Sequence, residues 1–272
     1  MPMPQHIRQD KPGCAARCGD EHAGARLSRS HGGGAVWGVP VPVVIAGPCA
    51  VESAAQIEAV ASRLKELGIR VLRGGAFKAR TAADSFQGLR EEGVNLLAQA
   101  GRKFGMLTIS EVLDCRHAEF VAERVDILQV GSRNMYNYEL LKELAKTGKP
   151  VFLKRSFMAT LDEFTHAAEY LLKGRGEAAL CERGIRTFEA ATRNTLDIMA
   201  VPIMKERLGL PVFVDVSHST GRAALVVPAA KAAIAVGADG IMVEVHPQPA
   251  NALSDKYQQL SIEQFTELLE VL

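Results

Sequence analysis

Residues 43–53 read VVIAGPCAVES. Four apolar residues end at a Gly-Pro break, and a thiol, Cys49, and a carboxylate, Glu52, stand where a helix should begin. An apolar run this short between turn residues fits a strand buried on both faces rather than a helix. The amphipathic stretch AAQIEAVASRLKEL follows at 54–67. Further short apolar runs recur along the chain. The full set is VPVVIA, IRVLRG, MLTISE, ILQVGS, PVFLKR, AALCER, PVFVDVS and GIMVEVH. Between them lie amphipathic segments such as YELLKELAK, LDEFTHAAEYLLK and AALVVPAAKAAIAVG. The chain closes on SIEQFTELLEVL, with Ser261 as its N-cap. Strands alternating with helices imply a parallel sheet. Eight such units predict a closed (β/α)8 TIM barrel with its chemistry on the loops after the strands. An open doubly wound sheet is the rival arrangement, and no GxGxxG after the first strand supports dinucleotide binding.

The composition is that of an ordinary soluble globular chain: 272 residues, 47% hydrophobic and 23% charged. A net charge of +1 gives no sign of a nucleic-acid or membrane surface. No apolar run approaches a membrane span, and no signal-peptide core opens the chain, so a cytoplasmic location is expected. Five scattered cysteines, an odd number, argue for reduced thiols rather than a disulfide framework. Residues 1–39 are rich in Gly, Arg, His and Pro and read as a flexible N-terminal extension, leaving 40–272 as a single catalytic barrel domain. The spacing in CAARCGDEH matches no usual zinc pattern.

Nearly every strand ends in something ionisable: Cys49; Arg73 and Lys78; Glu111; Arg133; Lys154; Arg183; His218; Glu244 with His246. One such residue alone is ordinarily a solvated charge on the rim of a barrel. The set sorts into two chemistries that a barrel would bring to one mouth. Arg73, Lys78, Arg80, Arg133, Lys154 and Arg183 are six cations that repel one another unless an anion neutralises them. Arginine forks and lysine point charges suit phosphates and carboxylates, and Gly74 and Gly75 let a ligand approach the backbone. Cys49, His218, Glu244 and Asp255 come from strands 1, 7 and 8 and the following loop, which are neighbours in a closed barrel. A thiolate, an imidazole and two carboxylates suit Mn²⁺, Fe²⁺, Co²⁺ or Zn²⁺. His246 competes as a ligand but should alternate away from Glu244 along a straight strand. Cys115 and Cys181 read as structural, and Asp215 and Asp239 as structural or supporting partners.

The motifs AGPCAVES, RGGAFKARTAADSFQGLREEG, QVGSRNM, CERGIRTFEAATRNTLD, SHSTGR and GADGIMVEVHPQPANALSD together resemble type I-beta 3-deoxy-D-arabino-heptulosonate 7-phosphate (DAHP) synthases, from about Val41 to Phe265. The resemblance implies a (β/α)8 barrel that condenses phosphoenolpyruvate with erythrose 4-phosphate at the entry to the shikimate pathway of aromatic amino acid biosynthesis. It implies one divalent metal ion, Mn²⁺ first among the candidates, on Cys49, His218, Glu244 and Asp255. Phosphoenolpyruvate contacts fall on Arg73, Lys78, Ser132, Arg133, Lys154 and Arg183, and aldose phosphate contacts on Arg80 and Thr81. Lys78 is the expected proton donor, Glu111 the expected water-orienting group, and Cys49 and His218 the catalytic metal ligands. Arg186 and Arg222 are further phosphate candidates without an assigned place. The resemblance also implies a homo-oligomer, tetramer or dimer, with control by a separate regulatory partner left open.

The chain departs from the family around the acceptor. Lys-Pro-Arg-Thr is usual where this chain has Lys78-Ala79-Arg80-Thr81, and Val216 and Ser219 flank His218 where Pro and Ala are usual. Loss of proline removes a fixed φ from the sugar loop. Three alternatives stand beside the main reading. One is the related octulosonate 8-phosphate synthase, which takes arabinose 5-phosphate, although the short Lys78–Arg80 spacing favours the four-carbon sugar. The others are a paralogue in specialised metabolism and an inactive barrel serving as a regulatory or scaffolding subunit. The extension resembles neither a feedback domain nor a chorismate mutase, so no direct inhibition by aromatic amino acids is expected.

Overall fold

The computed structural model describes Trp37 and residues 42–272. Eight strands form one closed barrel in chain order: β1 (Val43–Gly47), β2 (Val71–Arg73), β3 (Leu107–Glu111), β4 (Ile127–Val130), β5 (Val151–Lys154), β6 (Ala178–Glu182), β7 (Val212–Asp215) and β8 (Gly240–Glu244). Every neighbouring pair is parallel, and β8 returns to β1 with Val43 opposite Gly240 and Gly47 opposite Glu244. That last pairing excludes the open doubly wound sheet. The helices are α1 (Ala54–Glu66), α2 (Arg90–Phe104), α3 (Ala118–Ala122), α4 (Tyr138–Lys146), α5 (Leu161–Leu172), α6 (Ala200–Leu208), α7 (Val216–Thr220), α8 (Val226–Ala235) and α9 (Ile262–Glu270). Among the described residues no helix is long and apolar enough to cross a membrane.

Local chemistry explains the element ends. In α1, Ile57, Val60, Ala61 and Leu64 are buried at helical spacing, so one apolar stripe faces the barrel. The Ser53 hydroxyl accepts from the Gln56 amide and opens that helix. Capping boxes open α5 (Thr160 with Glu163) and α9 (Ser261 with Gln264), the latter at the expected N-cap. Gly105 closes α2 in the left-handed conformation.

The apolar interior has two layers. The outer one packs Leu72, Leu128, Leu153, Leu180 and Ile241 against helix residues such as Leu64, Leu97, Phe164 and Phe265. The inner one fills the barrel with Ile45, Val71, Ile109, Ile127, Phe152, Cys181, Phe213 and Met242. Trp37 belongs to the inner layer, with its ring centroid 5.3 Å from Phe213 and 5.9 Å from Phe152. Trp37 falls in the stretch expected to form a flexible extension, yet it is buried, because the two phenylalanines that receive it meet only once the strands close. The rest of the extension, 1–36 and 38–39, lies outside the described residues.

Candidate metal and anion site

In β2 to β8, strand alternation puts a polar residue two positions beyond an inner apolar one, at the C-terminal end of the strand. Val71 leads to Arg73, Ile109 to Glu111, Ile127 to Gln129, and Phe152 to Lys154. Cys181 leads to Arg183, Phe213 to Asp215, and Met242 to Glu244. The barrel therefore has an apolar floor under a polar mouth.

The four expected metal ligands converge there. One donor atom each from Cys49, His218, Glu244 and Asp255 lies within 4.8 Å of the others. The His218 Nε2 is 3.5 Å from Glu244 Oε1 and 3.5 Å from Asp255 Oδ2, and the Cys49 sulfur is 3.4 Å from Asp255 Oδ2. Atoms bonded to one ion at about 2.0–2.3 Å are at most about 4.6 Å apart, so small shifts would close the set around a cation. The donors already collect positive charge: Arg73 Nη1 is 2.9 Å from Glu244 Oε1, and Lys78 Nζ donates to the Cys49 sulfur at 3.0 Å. This thiol, imidazole and carboxylate set fits a divalent transition metal.

Local structure orients the His218, Asp255 and Cys49 side chains. Asp215 caps α7, accepting from the His218 amide at 2.9 Å, and its other oxygen lies 2.8 Å from His218 Nδ1. The Nδ1 partner leaves Nε2 turned toward Glu244 and Asp255. Asp215 also receives the ammonium of Lys154. Burial alone would raise the Asp215 carboxyl, but His218 and Lys154 hold it well below the usual range. Burial likewise works against the His218 imidazolium, and Asp215 and Glu244 override it, lifting the pKa to about 9. Asp255 sits at a φ of 48°, in the left-handed region that Asp adopts more readily than most residues. Gln259 stitches that loop to Cys49, its Oε1 accepting from the Cys49 amide and its Nε2 donating to the Ser254 carbonyl.

Beside this group opens a cavity of about 380 Å³. Arg73, Lys78, Arg80, Arg133, Lys154, Arg183, Arg186 and Arg193 line it, against the carboxylates of Glu111 and Asp255. Thr81, Ser132 and Ala79 line it as well. All six cations expected from the sequence thus face one space, and several have protein partners: Arg73 has Glu244, Lys154 has Asp215, and Arg80 reaches Ser254 and Asp255. Arg183 differs. It is 6% exposed, and its buried Nη1 has no hydrogen-bond partner among the described residues. Burial pulls its pKa down, as expected for a charge stripped of water. Arg133 and Arg186 lie over the Phe157 ring at 5.9 and 4.2 Å. Glu111 accepts from Gln129 Nε2 at 3.2 Å, and a Cβ on Gly131 would fall 2.0 Å from its Oε1.

The remaining candidates sort cleanly. Arg222 lines a neighbouring cavity rather than the main one. His246 turns away from the ligand group toward Glu52, Nε2 to Oε2 3.4 Å. Asp239 binds the Val212 amide and Lys205 at the other end of the barrel. Cys181 is buried, and burial pushes its thiol pKa up, which leaves it unreactive. Sequence reasoning missed Gln129, Arg193, Asn194, Ser254 and Gln258. Gln129 was within reach of the period-two rule; the others sit in loops, which have no periodicity to read.

The sequence profile of the DAHP synthetase I family matches residues 32–272. A phospho-2-dehydro-3-deoxyheptonate aldolase of Thermotoga maritima is 53% identical over 228 residues, covering 84% of this chain and 68% of that protein. The chain belongs to the DAHP synthetase I family. The crystal structure of the T. maritima DAHP synthase matches this family member with a TM-score of 0.82 at 52% identity, over 84% of this chain and 67% of that one. A truncated form of the T. maritima enzyme matches at 0.78 and 50% identity, over 84% of each chain. A 2-dehydro-3-deoxyphosphooctonate aldolase of Rhodopseudomonas palustris is more distant, 33% identical over 250 residues, covering 84% of this chain and 86% of that protein. The strand-end positions that build the mouth all fall inside the stretch matched to the DAHP synthetase I family.

Proposed function

We propose that this chain condenses phosphoenolpyruvate with erythrose 4-phosphate and water, yielding DAHP and inorganic phosphate. The observation that carries the reading is the unmatched, buried guanidinium of Arg183, in a cation-lined cavity that adjoins four metal-ligand side chains. Such a site stores repulsion that a doubly anionic substrate relieves. The closeness to the T. maritima heptonate enzyme, 53% against 33% for the octonate relative, favours the four-carbon acceptor.

In this reading Arg73, Lys154, Arg133 and Arg183, with Ser132, bind phosphoenolpyruvate, and Arg80 and Thr81 take the phosphate of the aldose. Cys49, His218, Glu244 and Asp255 would hold a divalent ion, Mn²⁺ first among the candidates, which would supply Lewis acidity at the acceptor carbonyl. Burial would lower the Lys78 pKa, but the Cys49 sulfur and Glu244 raise it, so Nζ carries a proton at neutral pH. Lys78 gives that proton to the oxygen that gains charge as the new carbon–carbon bond forms. Glu111, steadied by Gln129, orients the water that adds to C2 of phosphoenolpyruvate before phosphate leaves by C–O cleavage. Fixed cations hold both substrates in line, so positioning supplies much of the acceleration. A homo-oligomeric, cytoplasmic enzyme of aromatic amino acid biosynthesis is part of the same proposal and rests on the family.

The test is turnover of the purified protein with erythrose 4-phosphate and with arabinose 5-phosphate, following phosphoenolpyruvate loss and phosphate release before and after chelation. Metal-dependent turnover should be faster with the four-carbon sugar. Faster turnover with arabinose 5-phosphate would reassign the acceptor, and none with any aldose phosphate or metal would favour the inactive barrel.

A further inference from the structure

The long segment between β6 and α6 lines the mouth, and Arg193 and Asn194 within it contact the metal-ligand residues. The Asn194 side chain, 7% exposed, donates Nδ2–H to the His218 carbonyl at 2.8 Å. Its amide donates to Ser219 O at 2.9 Å, and the Arg193 amide donates to Thr220 O at 3.1 Å, so the segment is laced to α7, which carries His218. The Arg193 side chain reaches the loop after β8. Its Nη1 lies 3.1 Å from Asp255 Oδ2 and donates to Gln258 Oε1 at 2.8 Å. Gln258 is 2% exposed and donates its own Nε2–H to Glu244 Oε2 at 2.6 Å. A Cβ on Gly221 would meet the Arg193 Cβ at 2.5 Å, so glycine keeps the seat of this side chain open.

We propose that Arg193, Asn194 and Gln258 are positioning residues that fix the aim of three of the four metal ligands: His218, Glu244 and Asp255. The proposal rests on the metal reading above. A carboxylate oxygen carries more than one lone pair, so Arg193 can fix where Asp255 Oδ2 sits while that oxygen still faces His218 and Cys49. Gln258 binds the Glu244 oxygen Oε2 and leaves Oε1 on the side of His218 Nε2. Partners behind the ligands of known metal sites contribute about 10–100-fold to metal affinity. The charge of Arg193 acts the other way, since a cation close to the ligands repels a metal ion. It is the direction of the Nη1–H donors, not the charge, that does the positioning.

The experiment compares wild type with Arg193→Lys, Gln258→Met and Asn194→Ala, titrated with Mn²⁺ alone and with Co²⁺ alone. Mn²⁺ binding is read from the spin-resonance signal of the free ion, and Co²⁺ geometry from its visible absorption. Thermal midpoints are taken on the metal-free proteins. These variants avoid removing a positive charge, which by itself would favour metal and mask the effect. Mn²⁺ binding should weaken about 10–100-fold in Gln258→Met, less in Arg193→Lys and Asn194→Ala, with an altered Co²⁺ absorption in all three. If Gln258→Met does not fold, the partly exposed Arg193→Lys decides the matter. Variants that keep wild-type Mn²⁺ affinity and Co²⁺ absorption while losing only thermal stability would overturn the proposal. A wild-type protein that binds neither ion would refute the metal reading itself, and the proposal with it.

Discussion

A guanidinium taken out of water with a donor left unmatched costs the folded protein free energy. Arg183 is in that position, and no neighbouring carboxylate in the described mouth answers its Nη1. Replacing it with an apolar side chain of similar length removes the penalty along with the charge. Arg183→Met should therefore unfold at the same or a higher temperature than wild type and lose about 100-fold or more in kcat/KM, a loss of about 2.7 kcal/mol or more in transition-state binding. A calorimetric scan and steady-state kinetics check the two halves; a clearly lower melting temperature would show that Arg183 is a structural ion instead. Gly131 makes a narrower case. A methyl group there would collide with the Glu111 carboxylate, the nearest group to it. Gly131→Ala should lower kcat by about 10²-fold, the scale of a misplaced catalytic group, with phosphoenolpyruvate binding retained. Unchanged kcat would remove Glu111 from the water-orienting role. Arg183 was legible in the sequence as a strand-end cation, but its isolation was not, because the partners of a buried charge come from other strands.

At the scale of elements, the strands were the readable part. Short runs such as VFLK and VFVD are buried on both faces in the parallel barrel, so they stay apolar until the mouth is reached. The helices showed themselves where their stripe was strongest, as in α4, whose Tyr138–Lys146 limits match the segment read from the sequence. The floor was hidden. Trp37 stands in a glycine-rich stretch with no periodicity, and only the assembled barrel offers it Phe152 and Phe213. Trp37→Ala should destabilise the barrel by about 3–5 kcal/mol, the range for truncating a buried aromatic, measured by denaturant unfolding followed by circular dichroism. A loss below about 1 kcal/mol, the level of an ordinary surface change, would mean that the ring is dispensable to the core.

For the whole molecule, the decisive event is closure. Pairing of β8 with β1 sets Glu244 opposite Gly47, two residues before Cys49, and β7 beside them brings His218. Positive and negative groups then share one low-dielectric mouth, so the protonation of His218 would be coupled to a metal ion bound there. In the metal-free protein the His218 pKa stands near 9, above the ordinary 6.5. A raised pKa of this kind contributes stability fully below about pH 6.5 and loses it as pH climbs through 9. The metal-free protein should therefore become less stable across that window, while Mn²⁺, which must displace the His218 proton, binds more tightly. Unfolding and Mn²⁺ titrations at several pH values test both trends, and an affinity that does not change with pH would contradict the assignment of His218 as a ligand. The amino-acid sequence by itself determined the repeated strand–helix unit, the alternation that turns one residue type inward, and the chemical identity of the groups at each strand end. These are local properties, set by periodicity and turn chemistry over a few residues. Only the tertiary structure decided which charges neutralise one another, which guanidinium has no partner among the described residues, how Arg193 and Gln258 reach Asp255 and Glu244, and that Trp37 packs against Phe152 and Phe213. Those outcomes depend on distances between residues far apart in the chain, which exist only after the barrel has closed.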